Sequence, residues 1–170
     1  MTYYEISNGA SAHVVVRMFK TSAVSEWFVA LGGVPDVGRG SEITVNWLSL
    51  DIDNKNTFYT DSNGLEMQER ILNFRPTWTW VGYEKITSNY YPIQSAIAIR
   101  DVEKNFQMTV MNSRSQGGSV IKNARVELMQ QRRLYRDDGK GVGESLNEGL
   151  MEVPAQYFLQ IFNYEKEPSL

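Results

Sequence analysis

A chain of 170 residues without cysteine has no disulfides or thiolate metal sites, and it is long enough for one domain to bury roughly 70% of its unfolded surface. Its formal net charge of −3 provides no broad basic field, so nucleic acid is not expected as a partner. No apolar run approaches the ~18 residues of a transmembrane helix, and the opening residues lack the pattern of a signal peptide, so no membrane partner is expected either.

The predicted elements are short and strand-like almost throughout. Val14, Val15 and Val16 give a β-branched run within residues 11–19. A second run, Glu26 to Leu31, sets Trp27, Val29 and Leu31 on one side, and Gly32-Gly33 ends it. Ile43, Val45 and Trp47 alternate with Thr44, Asn46 and Leu48. A polar turn over residues 51–56 precedes the short strand Thr57–Thr60, which closes on Asp61-Ser62-Asn63-Gly64. The spacing there predicts an Asx-type turn, with Asp61 or Asn63 capping backbone groups and Gly64 at positive φ. Residues 65–73 are rich in helix formers, so helix competes with strand until Pro76 ends the segment.

Beyond Asn89-Tyr90-Tyr91-Pro92, Ile93, Ile97 and Ile99 share a face of one run, and Phe106, Met108 and Val110 repeat the alternation after a turn at 101–105. These two runs are predicted to form a hairpin. Residues 113–119 read as a polar loop at the rim of the fold. The segment 124–131 is the best strand candidate, with Val126 and Leu128 on one face, and Tyr157, Leu159 and Ile161 mark a last strand. Many short strands with regular turn signals and at most one helix predict an all-β antiparallel sandwich, taken as a single domain over 1–170.

Few residues are equipped for catalysis. His13 is the lone histidine, which excludes a two-histidine metal site within the chain, and it reads as a polar strand-edge residue. The stretch 132–144 concentrates charge around Gly139, Gly141 and Gly143. Its glycines match neither a P-loop nor a dinucleotide fingerprint. Asp137 and Asp138 are adjacent on a loop and point apart, a poor acid/base pair. They are better placed as partners of Arg132, Arg133 and Arg136, bracing the loop. Composition alone favours a solvated, self-paired loop there.

Three groups of residues change that reading. They are Phe58 to Gly64; Asn89-Tyr90-Tyr91-Pro92 with Arg114 to Ser119; and Glu127-Leu128-Met129 through Arg132-Arg133-Leu134 to Asp137-Asp138-Gly139-Lys140-Gly141-Val142. In order and spacing they resemble class II α-mannosidases, glycoside hydrolase family 38, from about residue 41 to residue 147. The Arg-Ser-Gln-Gly-Gly-Ser form is most similar to the lysosomal branch.

The resemblance implies a fragment of the β-rich C-terminal region of a larger glycoside hydrolase, with a sandwich related to galactose mutarotase. It implies hydrolysis of terminal α-linked mannose of glycans by a zinc-dependent, retaining mechanism. The catalytic groups and the zinc belong to an upstream α/β domain, so no catalytic residue, metal ligand or cofactor is expected in this chain, and a lysosomal or other lumenal compartment is implied. In the family the loop that corresponds to 137–141 offers a backbone carbonyl to a hydroxyl of the bound mannose. Here Lys140 takes that position, flanked by Gly139 and Gly141, and a main-chain contact survives the replacement of arginine by lysine. The other motifs are expected to support structure rather than touch sugar. Two rival readings are a non-catalytic carbohydrate-binding module and a structural interface domain.

Overall fold

The computed structural model describes residues 19–21, 24–31, 41–49, 52–79, 81–82, 84–133 and 153–163. Among the described residues there are eleven strands: β1 (Phe19–Thr21), β2 (Val24–Leu31), β3 (Ser41–Leu48), β4 (Thr57–Ser62), β5 (Glu66–Ile71), β6 (Tyr91–Ile93), β7 (Ala96–Asp101), β8 (Phe106–Asn112), β9 (Gln116–Lys122), β10 (Arg125–Arg133) and β11 (Val153–Asn163). The only helical element among the described residues is a 3-10 turn, Thr87–Asn89. A seven-stranded sheet runs β1-β2-β11-β8-β7-β4-β5 and a four-stranded sheet runs β3-β10-β9-β6, with every pairing antiparallel. The all-β antiparallel sandwich expected from the sequence is the fold observed.

Alternation explains the core. Val45 and Trp47 of β3, and Val126 and Leu128 of β10, meet Ile97, Ile99, Met108, Val110, Ala155, Tyr157 and Leu159 of the larger sheet. Trp47 stands edge-on to Tyr157 at 4.7 Å between ring centroids, and Phe58 meets Tyr91 in the same way at 5.8 Å. Burying each such side chain is worth about 1.5–3 kcal/mol. The predicted hairpin of β7 and β8 is present, with Ile97 opposite Val110 and Ile99 opposite Met108.

One open choice is settled and two expectations change. Within residues 65–73, where helix and strand competed, Glu66–Ile71 is strand: β5 pairs with β4 from Ser62↔Glu66 to Thr57↔Ile71, and cross-strand pairing overrides the helix preference of Glu, Gln and Arg. The run from Ile93 to Ile99 is not one strand; β6 ends at Ile93 in the smaller sheet and β7 starts at Ala96 in the larger. The polar loop predicted at 113–119 ends early, because β9 begins at Gln116 and buries Gln116, Gly118 and Ser119. The valine run of residues 14–16, with His13 before it, lies outside the described residues.

Candidate functional site

The motif residues are best understood through what each one holds. Asp61, at the end of β4, is only 5% exposed. Its Oδ1 accepts the N–H groups of Gln94 (2.9 Å), Ser95 (3.0 Å) and Ala96 (3.2 Å). Its Oδ2 accepts Gly64 N and Ser95 Oγ, both at 3.0 Å. The Gly64 bond closes the predicted Asx turn, with Asn63 at φ 54° and Gly64 at φ 70°. The other bonds capture the crossing segment between β6 and β7, which is why the isoleucine run splits between two sheets. Burial pushes this carboxyl up, but the hydrogen bonds from Ser95, Ala96 and Gly64 together outweigh it, and the net shift is downward.

Asn89 is fully buried and works in the same way. Its Oδ1 accepts Asn73 N at 2.8 Å, while Nδ2 donates to Asn73 Oδ1 at 2.9 Å and to Lys85 O at 2.6 Å. Its own carbonyl accepts Ser119 Oγ at 2.7 Å. Beside it, the Tyr90 hydroxyl bonds to the Glu127 carboxylate. Asn89-Tyr90, Ser119 and Glu127 therefore fasten three motifs to each other across β9 and β10. Asn54, read from the sequence merely as part of a polar turn, is likewise buried. Its Oδ1 accepts Ala124 N at 2.7 Å and its backbone N–H donates to Asn123 Oδ1 at 3.1 Å, pinning the turn between β9 and β10.

A third cluster is polar and lies inside the sandwich. Gln116 Nε2 is within hydrogen-bond distance of Tyr157 Oη (2.8 Å), Gln130 Oε1 (3.0 Å) and Met129 O (3.1 Å). The Tyr157 hydroxyl donates to Gln130 Oε1. Burial, opposed by Gln116 and Arg114, pushes Tyr157 up to about 12, so the phenol stays protonated and keeps donating. Arg114 Nη2 donates to Gln130 O at 3.0 Å. Gln130 and Tyr157 carried no sequence assignment beyond their strands. A signal existed for Gln130, because a polar residue follows Val126 and Leu128 in the inward phase of β10.

Of the residues predicted to meet substrate, Lys140, Gly139 and Gly141, with Asp137 and Asp138, lie outside the described residues. Arg132 and Arg133 close β10, paired through backbone register with Glu42 and Ser41. Elsewhere, an open groove of about 520 Å3 is lined by residues 73–79, with Phe74 and Trp78 half exposed. A smaller one, about 230 Å3, is lined by Lys55, Tyr59, Glu69, Arg100 and Glu103. The second is paired within itself: Lys55 bridges Glu103, Tyr59 bonds Glu69, and Arg100 lies over the Tyr59 ring at 4.6 Å. Among the described residues no three His, Cys, Asp or Glu side chains converge in a group that could hold a metal ion.

Comparison with known proteins fits this arrangement. Residues 13–140 match the glycosyl hydrolases family 38 C-terminal domain. The lysosomal alpha-mannosidase of Felis catus is 44% identical over 135 residues, that of Homo sapiens 40% over 134, and an alpha-mannosidase of Arabidopsis thaliana 38% over 156. These alignments cover 79%, 79% and 86% of this chain but only 13%, 13% and 15% of the respective relatives. The interlocked motifs, the two-sheet fold and the extent of the match lead to one assignment: the chain belongs to the C-terminal domain family of the family 38 glycosyl hydrolases.

Proposed function

We propose that this chain is a single β-sandwich unit in the C-terminal region of an α-mannosidase that hydrolyses terminal α-linked mannose of glycans. It acts as scaffold and as one wall of the sugar site. The observation that carries this reading is the match over residues 13–140, which ends at Lys140, to a family whose similar members are alpha-mannosidases. Catalysis then belongs to an upstream α/β domain that holds zinc, and the contribution of this chain is the Lys140 backbone carbonyl, shaped by Gly139 and Gly141 and braced by Asp137, Asp138, Arg132 and Arg133. A lysosomal or other lumenal compartment accompanies this reading.

Two results test it. The isolated, zinc-loaded chain is expected to give no turnover of a nitrophenyl mannoside above background; release of nitrophenol by the chain alone would refute the division of labour. In the full-length enzyme, Gly141→Val is expected to raise KM or lower kcat by roughly ten- to a hundredfold, since a misplacement of about 1 Å costs up to the latter. Unchanged kinetics would remove the loop from the sugar site.

A structural interface role has its own support. Leu65, Phe74, Trp78, Val81 and Ile86 are each at least half exposed, and such side chains would favour burial against a neighbouring domain. This is compatible with the scaffold role.

A further inference from the structure

The turn that joins β4 to β5 carries a chemically reactive pair, Asn63-Gly64. Ser62 O accepts Leu65 N at 3.0 Å across it, and both central residues have positive φ, 54° and 70°, the left-handed geometry that Asn-Gly accommodates. Asn63 and Gly64 are exposed, so water and base reach them. A glycine nitrogen also has no side chain beside it to shield it from the preceding side-chain amide.

The nitrogen is nevertheless engaged. Gly64 N donates to Asp61 Oδ2 at 3.0 Å. Asp61 is itself buried and is held from the other side by Gln94, Ser95 and Ala96, so its carboxylate does not follow the turn when the turn flexes. Asn63 N donates to Gln94 Oε1 at 3.0 Å. The main chain is thus fastened at both residues of the reactive pair.

From this geometry we infer that Asn63 is a deamidation site gated by Asp61. In the reaction, base removes the Gly64 amide proton and the nitrogen bonds to Asn63 Cγ. The bond from Cγ to Nδ2 breaks, and Nδ2 takes protons from solvent and leaves as ammonia. Water then opens the cyclic imide at either carbonyl, which leaves aspartate or isoaspartate at position 63. The Asp61 carboxylate opposes the first step in two ways: it holds the hydrogen that must leave, and its charge disfavours an amide anion beside it. Deamidation therefore waits for the turn to open. The isoaspartate product adds a methylene to the main chain, so each event leaves the end of the β4–β5 hairpin looser than before.

The test follows residue 63 of the intact protein at neutral pH by peptide mass spectrometry and an isoaspartate assay, with a synthetic peptide spanning Phe58 to Met67 as the ungated reference. Wild-type protein is expected to deamidate at least about tenfold more slowly than the peptide, and its Gly64 N–H to exchange with solvent at least about tenfold more slowly. Asp61→Asn is expected to speed both processes roughly tenfold, the factor that corresponds to losing a hydrogen bond to a charged acceptor. Leu159→Ala, a cavity in β11 with β8 and β7 between it and β4, is the control for general loosening; it should lower Tm and leave deamidation at residue 63 unchanged. The two wild-type comparisons decide the matter even where a variant does not fold. A wild-type rate equal to that of the peptide, a slower reaction in Asp61→Asn, or equal acceleration in Leu159→Ala would each overturn the gate.

Discussion

Asp61→Ala is expected to destabilise the chain by about 3 kcal/mol, a large share of the roughly 5–15 kcal/mol that holds a typical domain together. The carboxylate collects four backbone N–H groups and one hydroxyl, from Gly64, Gln94, Ser95 and Ala96. Removing it leaves the Asx turn open and the crossing from β6 to β7 without its acceptor. Asp61→Asn keeps one oxygen but turns an NH2 group toward Gly64 N or Ser95 Oγ, so about 2 kcal/mol should still be lost. The charge adds a pH signature. Because the folded-state pKa of Asp61 is lowered from 3.8, its stabilisation is present above that value and disappears as pH falls through the folded value. The resistance of the wild-type chain to urea should therefore fall on acidification below about pH 4, and the Asn variant should lack that component. A midpoint for Asp61→Ala within about 0.5 kcal/mol of wild type would contradict the brace.

Gly118→Val is expected to cost about 4 kcal/mol, for a reason of space rather than of backbone angle. A Cβ at position 118 would stand 2.6 Å from Leu128 Cδ2, 2.7 Å from Ile93 Cγ1 and 3.2 Å from Glu127 O. Leu128 and Ile93 are completely buried, so neither can swing aside without disturbing the core between the sheets. Alanine should already cost about 2 kcal/mol. Its neighbour is the internal comparison: a Cβ at Gly117 meets Tyr90 Cδ1 at 3.3 Å, on a ring that is only partly buried, and Gly117→Ala should stay within about 1 kcal/mol. Equal denaturation midpoints for the two alanine variants would refute the crowding at 118.

The parts of the fold that were legible in the sequence share one property. In β3, β8, β10 and β11, apolar residues alternate in strands whose inward phase is covered by the opposite sheet, so period and burial agree. The strands that misled depend on partners distant in the chain. The split of Ile93 from Ile97 is made by Asp61, which nothing in the isoleucine pattern announces. The start of β9 is masked by Gly117 and Gly118, which look like loop residues and are small because another strand passes close by. The motifs of the candidate site were visible, but not what they do: Arg114 and Gln116 act on the carbonyls of Gln130 and Met129, a relation that exists only once β9 lies beside β10. Composition does not encode such a contact.

The composition of β5 has a separate meaning. This strand is the last of the seven, bonded to β4 on one side only, and its sequence is Glu66-Met67-Gln68-Glu69-Arg70-Ile71. The residues that made it resemble a helix are those that discourage another strand from adding to its free side, since an approaching chain would have to strip water from Glu66, Glu69 and Arg70. Arg70 is also engaged inward, bonding Thr60 Oγ1 at 3.1 Å and lying 4.4 Å from the centre of the Tyr91 ring. A charged edge of this kind disfavours the addition of a further strand, and one of its side chains, Arg70, also closes over the aromatic corner beneath.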